Sequence, residues 1–221
     1  MAICRNLVFL HLLKAIFCEC TQKFFMCKFS VSAIEKLGNT LIFIVERVND
    51  LSKTKALKLL YLMEERMALK YHTPFLAIPF EVWQAGPVAK DVFIDLSDGP
   101  YLLKDFVKTE QRDNGTYISA IRNFSDDEFS ECEIAMMNEV LDEYGKLSAS
   151  ELVAVTHRKG SLWYKEAEKN GLFSVFSHHE CNNSDVRIDF TEMMLPCAAE
   201  FYRESLNVRQ TADLLRVEAN V

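Results

Sequence analysis

The sequence predicts a mainly α fold of the α+β kind: a compact helical domain with one small β-hairpin or short antiparallel sheet. Three observations carry this. Apolar residues recur at three- and four-residue intervals through several long stretches. Serines stand three residues ahead of glutamates at several points, the spacing that caps a helix start. The 16 Phe and 8 Met accompany only 7 Gly and 5 Pro, too few turn formers for a many-stranded all-β chain.

The first helix is expected to open at Ser32, with Glu35 completing a capping box and Ile34, Leu37, Leu41, Ile44, Val45 and Val48 repeating up to Asn49-Asp50. A second begins near Ser52, with Ala56, Leu57, Leu60, Met63, Met67 and Tyr71 on one stripe and Lys55, Glu65, Arg66 and Lys70 largely off it. Between Pro74 and Pro79 helix cannot continue, and Phe80 to Trp83 reads as a short extended piece ending in a Gly86-Pro87 turn. Val88, Asp91, Val92, Asp95 and Leu96 predict a short helix closed near Gly99-Pro100. Asp113-Asn114-Gly115, flanked by Phe106-Val107 and Tyr117-Ile118, predicts a β-hairpin. Ser125 with Glu128 predicts a helix carrying Phe129, Cys132, Met136, Val140 and Leu141 to Gly145, and Ser148 with Glu151 a brief one ending before Gly160. Ser161 caps another running to Gly171, His178 to Asp189 reads as loop, and Thr191 to Leu206 forms a last helix that Pro196 delays or breaks.

At 221 residues the chain can bury a real core, and 49% apolar with 26% charged residues exclude disordered and fibrous classes. One domain over residues 30–206 is expected, with tails at 1–29 and 207–221. The net charge of −7 disfavours nonspecific affinity for phosphate backbones and favours a basic partner. Seven cysteines without regular spacing read as reduced thiols of a cytoplasmic protein. The start, with Arg5 before the run Leu7 to Phe17, imitates a secretory signal. However, Lys14 interrupts it, no small-residue cleavage site follows, and it is too short to span a bilayer. Met26 makes residues 1–25 either an over-extended start or a loosely attached amphipathic tail, and no membrane association is expected.

Catalysis needs a nucleophile, base and orienting group at recognisable spacing, and the sequence offers no such motif; no cofactor is expected. Cys18, Cys20 and Cys27, or His178, His179 and Cys181, are the only zinc candidates, and both sets lack the paired spacing that closes a tetrahedral corner. Asp126, Asp127 and Glu128 are assigned to capping a helix start. Lys53, Lys55 and Lys58 open a helix that could enter a nucleic-acid groove, but acidic Glu64 and Glu65 follow, and a solvated face is the simpler expectation.

Two segments are distinctive: Thr54-Lys55-Ala56-Leu57-Lys58-Leu59-Leu60-Tyr61, and Val82-Trp83-Gln84-Ala85-Gly86-Pro87-Val88. Thr156-His157 and Leu162-Trp163 follow later. Together they resemble the Panacea family of phage-associated bacterial antitoxins, in which a Lys-Leu-x-Lys-Leu-Leu-Tyr helix precedes a Trp-x-x-Gly-Pro-Val turn and a later Leu-Thr-His segment lies ahead of a Trp. Ala56-Leu57 and Val155 depart from that pattern while keeping its character. The resemblance spans about residues 30–170. It implies an antitoxin of a toxin-antitoxin pair that binds a cognate toxin protein encoded nearby, with residues 172–221 or the N-terminal tail as places for partner-specific contacts. DNA-binding regulation of its own operon is the alternative, and a hydrolase or metal enzyme a third reading. The family-motif residues that are also possible partner contacts are Lys55, Lys58, Leu60, Tyr61, Trp83, Gly86, Pro87, Val88, His157 and Trp163. From the residues alone, Leu57, Leu60 and Tyr61 read as core, with the Tyr61 hydroxyl aimed at a buried partner. Lys58 is expected to snorkel or to pair with a carboxylate. Trp83 either anchors a partner or packs under its turn, and His157 reads as a satisfied, cation-bearing residue at a helix C-terminus.

Overall fold

The computed structural model describes residues 29–97, 99–178 and 181–218. Among the described residues there are eight α-helices and two small antiparallel sheets of two strands each, and 56% of these residues are helical, the mainly α class that the periodicity predicts. Helix α1, Val31–Arg47, is capped by Ser30, whose extended backbone turns its hydroxyl to accept from the Ala33 amide at 3.1 Å. Ser32 therefore lies inside the helix and is not its cap. Its hydroxyl donates instead to Glu128 at 2.7 Å. Helix α2, Lys53–Tyr71, starts where expected, with Ser52 accepting from the Lys55 amide at 3.3 Å, and ends at a left-handed His72. From Ala56 to Glu64 it is buried without a break. A helix enclosed on all sides is the spine of a fold rather than its surface.

Strands β1, Glu81–Trp83, and β2, Gly86–Val88, pair with Glu81 opposite Val88 and Trp83 opposite Gly86. Gly86 and Pro87 thus belong to a strand, and the turn falls at Gln84-Ala85. Segment 182–188 flanks β1 on its other side, with Val82 N donating to the Val186 carbonyl and Ile188 N to the Phe80 carbonyl, each at 2.8 Å. Helix α3, Lys90–Asp95, ends in a buried Asp95 whose carboxylate accepts from the Tyr101 and Leu102 amides at 2.8 Å, closing the following loop. The expected hairpin forms from β3, Val107–Arg112, and β4, Gly115–Ala120, and packs on α1.

Helix α4, Glu131–Tyr144, begins five residues later than Ser125 predicts, because Ser130 and Glu133 make the capping box. Ser125 bonds Asp127, and Asp126, Asp127 and Glu128 precede the helix rather than capping it. Glu133 has a second use: its carboxylate pairs with buried Lys36 of α1, whose ammonium also lies 5.3 Å from the Phe75 ring centre. Helix α5, Ala149–Thr156, keeps the predicted Ser148–Glu151 box, and α6, Leu162–Lys169, the Ser161 cap. Helix α7, Leu172–Ser177, was not anticipated, since six residues give too little periodicity to read. A 3₁₀ turn, Phe190–Met193, precedes α8, Pro196–Glu218, which Pro196 opens rather than breaks and which runs past Leu206.

Helices α4 and α5, strand β2 and the 3₁₀ turn all lie against α2. Glu64, on the same stripe of α2 as Leu60 and Met67, ties the 74–79 loop to the spine by accepting from the Phe75 and Leu76 amides at 3.0 and 2.7 Å. Among the described residues no helix is long and apolar enough to cross a membrane.

Gly38 of α1 faces the buried Phe106 ring so closely that a methyl group there would sit 2.2 Å from the ring. Alanine favours helix over glycine by about 1 kcal/mol, but overpacking costs about 1–3 kcal/mol. Gly38→Ala is therefore expected to be net destabilising in urea denaturation; a gain in stability would show that the contact is softer than the geometry indicates.

Candidate functional site

Three parts of the chain converge beside the buried half of α2: the helix itself, the β1–β2 hairpin, and the corner between α5 and α6. Their meeting point is Lys58. Its side chain is 1% exposed, and it neither snorkels nor pairs with a carboxylate, as the sequence led one to expect. Its Nζ donates to the Pro87 carbonyl at 2.8 Å. Burial removes hydration from the ammonium and pulls its pKa from 10.5 down to about 7.

Gly86 makes this approach feasible. Its backbone sits at φ +96°, and a Cβ there would lie 2.9 Å from Thr156 Oγ1 and 3.0 Å from Lys58 Cε. Only a residue without a side chain fits both the conformation and the space. Val88 and Leu60 are buried nearby in the core. Tyr61 is also fully enclosed, edge-on to Phe80 at 5.5 Å, and its hydroxyl donates to Oε1 of Glu65 at 2.6 Å, a half-buried partner where a buried one was expected. Burial first, then the facing Glu65 carboxylate, holds the phenol well above its usual pKa.

His157 follows α5, and its ring stacks on Trp163 with centres 3.8 Å apart. The structure corrects the expectation of a satisfied cation. Burial, with the Lys58 ammonium next in weight, lowers the imidazole pKa from 6.5 to about 4, so the ring is neutral near pH 7. Its Nε2 is buried without a hydrogen-bond partner among the described residues. Trp163 closes the arrangement by donating from Nε1 to the Trp83 carbonyl at 3.0 Å, joining α6 to the hairpin. Trp83 is half-buried, packs edge-on to Phe93 at 5.1 Å and donates its own Nε1 to Glu81 at 2.9 Å. It packs beside its turn and is fastened through both backbone and ring.

The lysines ahead of Lys58 are not a solvated face either. Lys55 donates to the Gly145 carbonyl at 2.8 Å, at the C-terminal end of α4, where a cation complements the helix dipole. Lys53 donates to Ser97 at 2.9 Å and lies 4.0 Å from the Phe93 ring centre. The cluster therefore joins three segments, and its groups with altered protonation are turned inward, Lys55 and Lys58 to carbonyls, His157 to the Trp163 ring and Tyr61 to the Glu65 carboxylate. Thr156, quoted in the sequence only as part of the Thr156-His157 pair, belongs to it, and Glu64 supports it; for Glu64 the sequence signal was a carboxylate set on an apolar stripe.

Of the zinc candidates, Cys18, Cys20, Cys27 and His179 lie outside the described residues. His178 bonds the Ser174 carbonyl and Cys181 the Asn183 carbonyl. Among the described residues no group of three or more His, Cys, Asp or Glu could hold a metal ion.

A helical spine clasped to a hairpin and a helix corner by a Lys, a Gly-Pro strand and a His-Trp stack defines a scaffold whose recurrent motif residues are used for its own tertiary contacts. Residues 57–164 match the family model described as antitoxin SocA-like, Panacea domain. That match takes in most of the motif residues that resemble the Panacea family, and it supports a general antitoxin role. No curated protein and no solved structure matches the chain.

A depressed lysine pKa means that the unfolded chain binds a proton the native state lacks between pH 7 and 10.5, so stability rises with pH across that window. His157 adds the same sign between about pH 4 and 6.5. Relative to Lys58→Met, the wild-type protein is expected to gain stability from pH 7 to 10; a pH-independent difference in denaturation would contradict this. Gly86→Ala is expected to cost about 1–3 kcal/mol through strain and crowding, read by the same measurement.

Proposed function

We propose that the protein is a cytoplasmic antitoxin that neutralises a cognate toxin, the product of a neighbouring gene, by direct protein–protein binding. One observation carries the reading. The matched region, 57–164, uses its motif residues internally, whereas large apolar side chains stand exposed on α8, beyond the match. Phe201, Val208 and Leu215, at seven-residue intervals along one face, are 54%, 70% and 61% exposed. Exposed apolar rows of this kind mark protein contact surfaces. The acidic charge of the chain favours a basic toxin and makes the association rate sensitive to salt. DNA contact through the start of α2 draws no support from Lys53, Lys55 and Lys58, each of which is engaged within the fold.

Coexpression with the neighbouring product is the test. The account expects a co-purifying pair and loss of toxicity. Phe201→Glu and Val208→Glu should weaken binding about tenfold or more, or about 1.4 kcal/mol. Lys58→Met should bind normally once folded. If no neighbouring product is toxic or bound, or if Lys58→Met alone abolishes binding while α8 variants do not, the reading fails.

A further inference from the structure

Helix α8 has two unlike faces. Ala199, Tyr202 and Leu206 pack inward on the core. The same side is fixed further along by Arg209, which donates to the Pro74 carbonyl at 3.1 Å, and by Asp213, which accepts from Ser30 at 2.6 Å. On the opposite side stand the exposed Phe201, Val208 and Leu215. Seven residues advance a helix by nearly two whole turns, so these three side chains form one straight row of roughly 21 Å. Glu204 and Thr211, both exposed, border the row on one side, and the half-buried Ser205 and Ala212 on the other. Single apolar residues are ordinary on a surface, but a straight row of three is not.

The row is close to being its own complement. Turned end for end about Val208, it brings Phe201 opposite Leu215 and Leu215 opposite Phe201, two large layers on either side of a small one. Glu204 then faces Thr211, carboxylate to hydroxyl, and Ser205 faces Ala212, both small enough for two helix axes to approach within about 8–10 Å. A parallel pairing would instead set Glu204 against Glu204, a like-charge contact.

We propose that a second copy of the chain covers this row, the two α8 helices running antiparallel about a twofold axis at Val208. Three apolar layers make a small contact, so the dissociation constant is of order 10 µM. Two copies each carrying −7 repel, and added salt therefore strengthens the pairing, the opposite of its effect on a basic partner. The inference concerns the isolated chain and does not rest on the toxin reading; because both use the row, a toxin bound there displaces the second copy.

Analytical ultracentrifugation of the full chain from about 1 to 300 µM, a range bracketing a weak specific interface, tests it. A monomer–dimer equilibrium that tightens with salt is expected. Val208→Glu should weaken it about tenfold or more without loss of helical circular dichroism, whereas Ile121→Glu, at an exposed apolar residue beyond β4, should leave it unchanged. Under mild oxidation Val208→Cys should link two copies through residue 208. Cys197, exposed one turn before Phe201, should not link to its counterpart, since the antiparallel arrangement holds the two about 33 Å apart. A wild-type chain that stays monomeric throughout, a dimer that Val208→Glu leaves intact, or a Cys197–Cys197 link in the peptide map would overturn the proposal. A monomeric chain that still bound a toxin through α8 would overturn this inference alone and leave the toxin reading standing.

Discussion

The structure depends on one hydrogen bond in an enclosed place: the Lys58 ammonium to the Pro87 carbonyl at 2.8 Å. A buried amine leaves few arrangements open, because each alternative strands a strong donor without water. The hairpin must bring its carbonyl to α2, which requires that Gly86 lack a side chain. His157 beside it must stay neutral, since a second cation there would raise the cost. Trp163 covers that imidazole and grips the Trp83 carbonyl, so the α5–α6 corner is held in the same act. The spine, hairpin and corner are thus not three packings but one.

Much of this architecture is local enough to read in sequence. Ser52, Ser148 with Glu151, and Ser161 all cap helices where their spacing says they should. The same rule misplaces two starts, because serine three residues before glutamate occurs in more registers than a chain can use. Ser30 caps α1 without any glutamate at the third position, and Ser130 displaces Ser125 at α4. Which serine takes the extended backbone is settled by what the following helix buries. Gly86-Pro87 reads as a turn by residue type, yet cross-strand pairing with Val82 and Trp83 makes it a strand.

The motif cluster is legible as a set but not as a mechanism. Tyr61 reaches Glu65 four residues on, within the horizon of helical periodicity. Lys58 meets a carbonyl twenty-nine positions away and His157 meets Trp163 across a helix corner, and neither partner leaves a local trace. Lysine is read as a surface residue by default, so a buried one is invisible until the fold places it. The same geometry keeps most motif side chains engaged within the fold, while an exposed apolar row lies on α8, beyond the matched residues. A protein arranged this way can alter its outer face without disturbing the clasp.

The most direct test of that clasp is an NMR titration of the Lys58 side chain in the folded protein, with and without a bound partner. The account requires an amine that titrates near pH 7 and does so equally in both states. A value close to the ordinary 10.5, or one that moves when the partner binds, would place Lys58 at an open surface and contradict the role given to it.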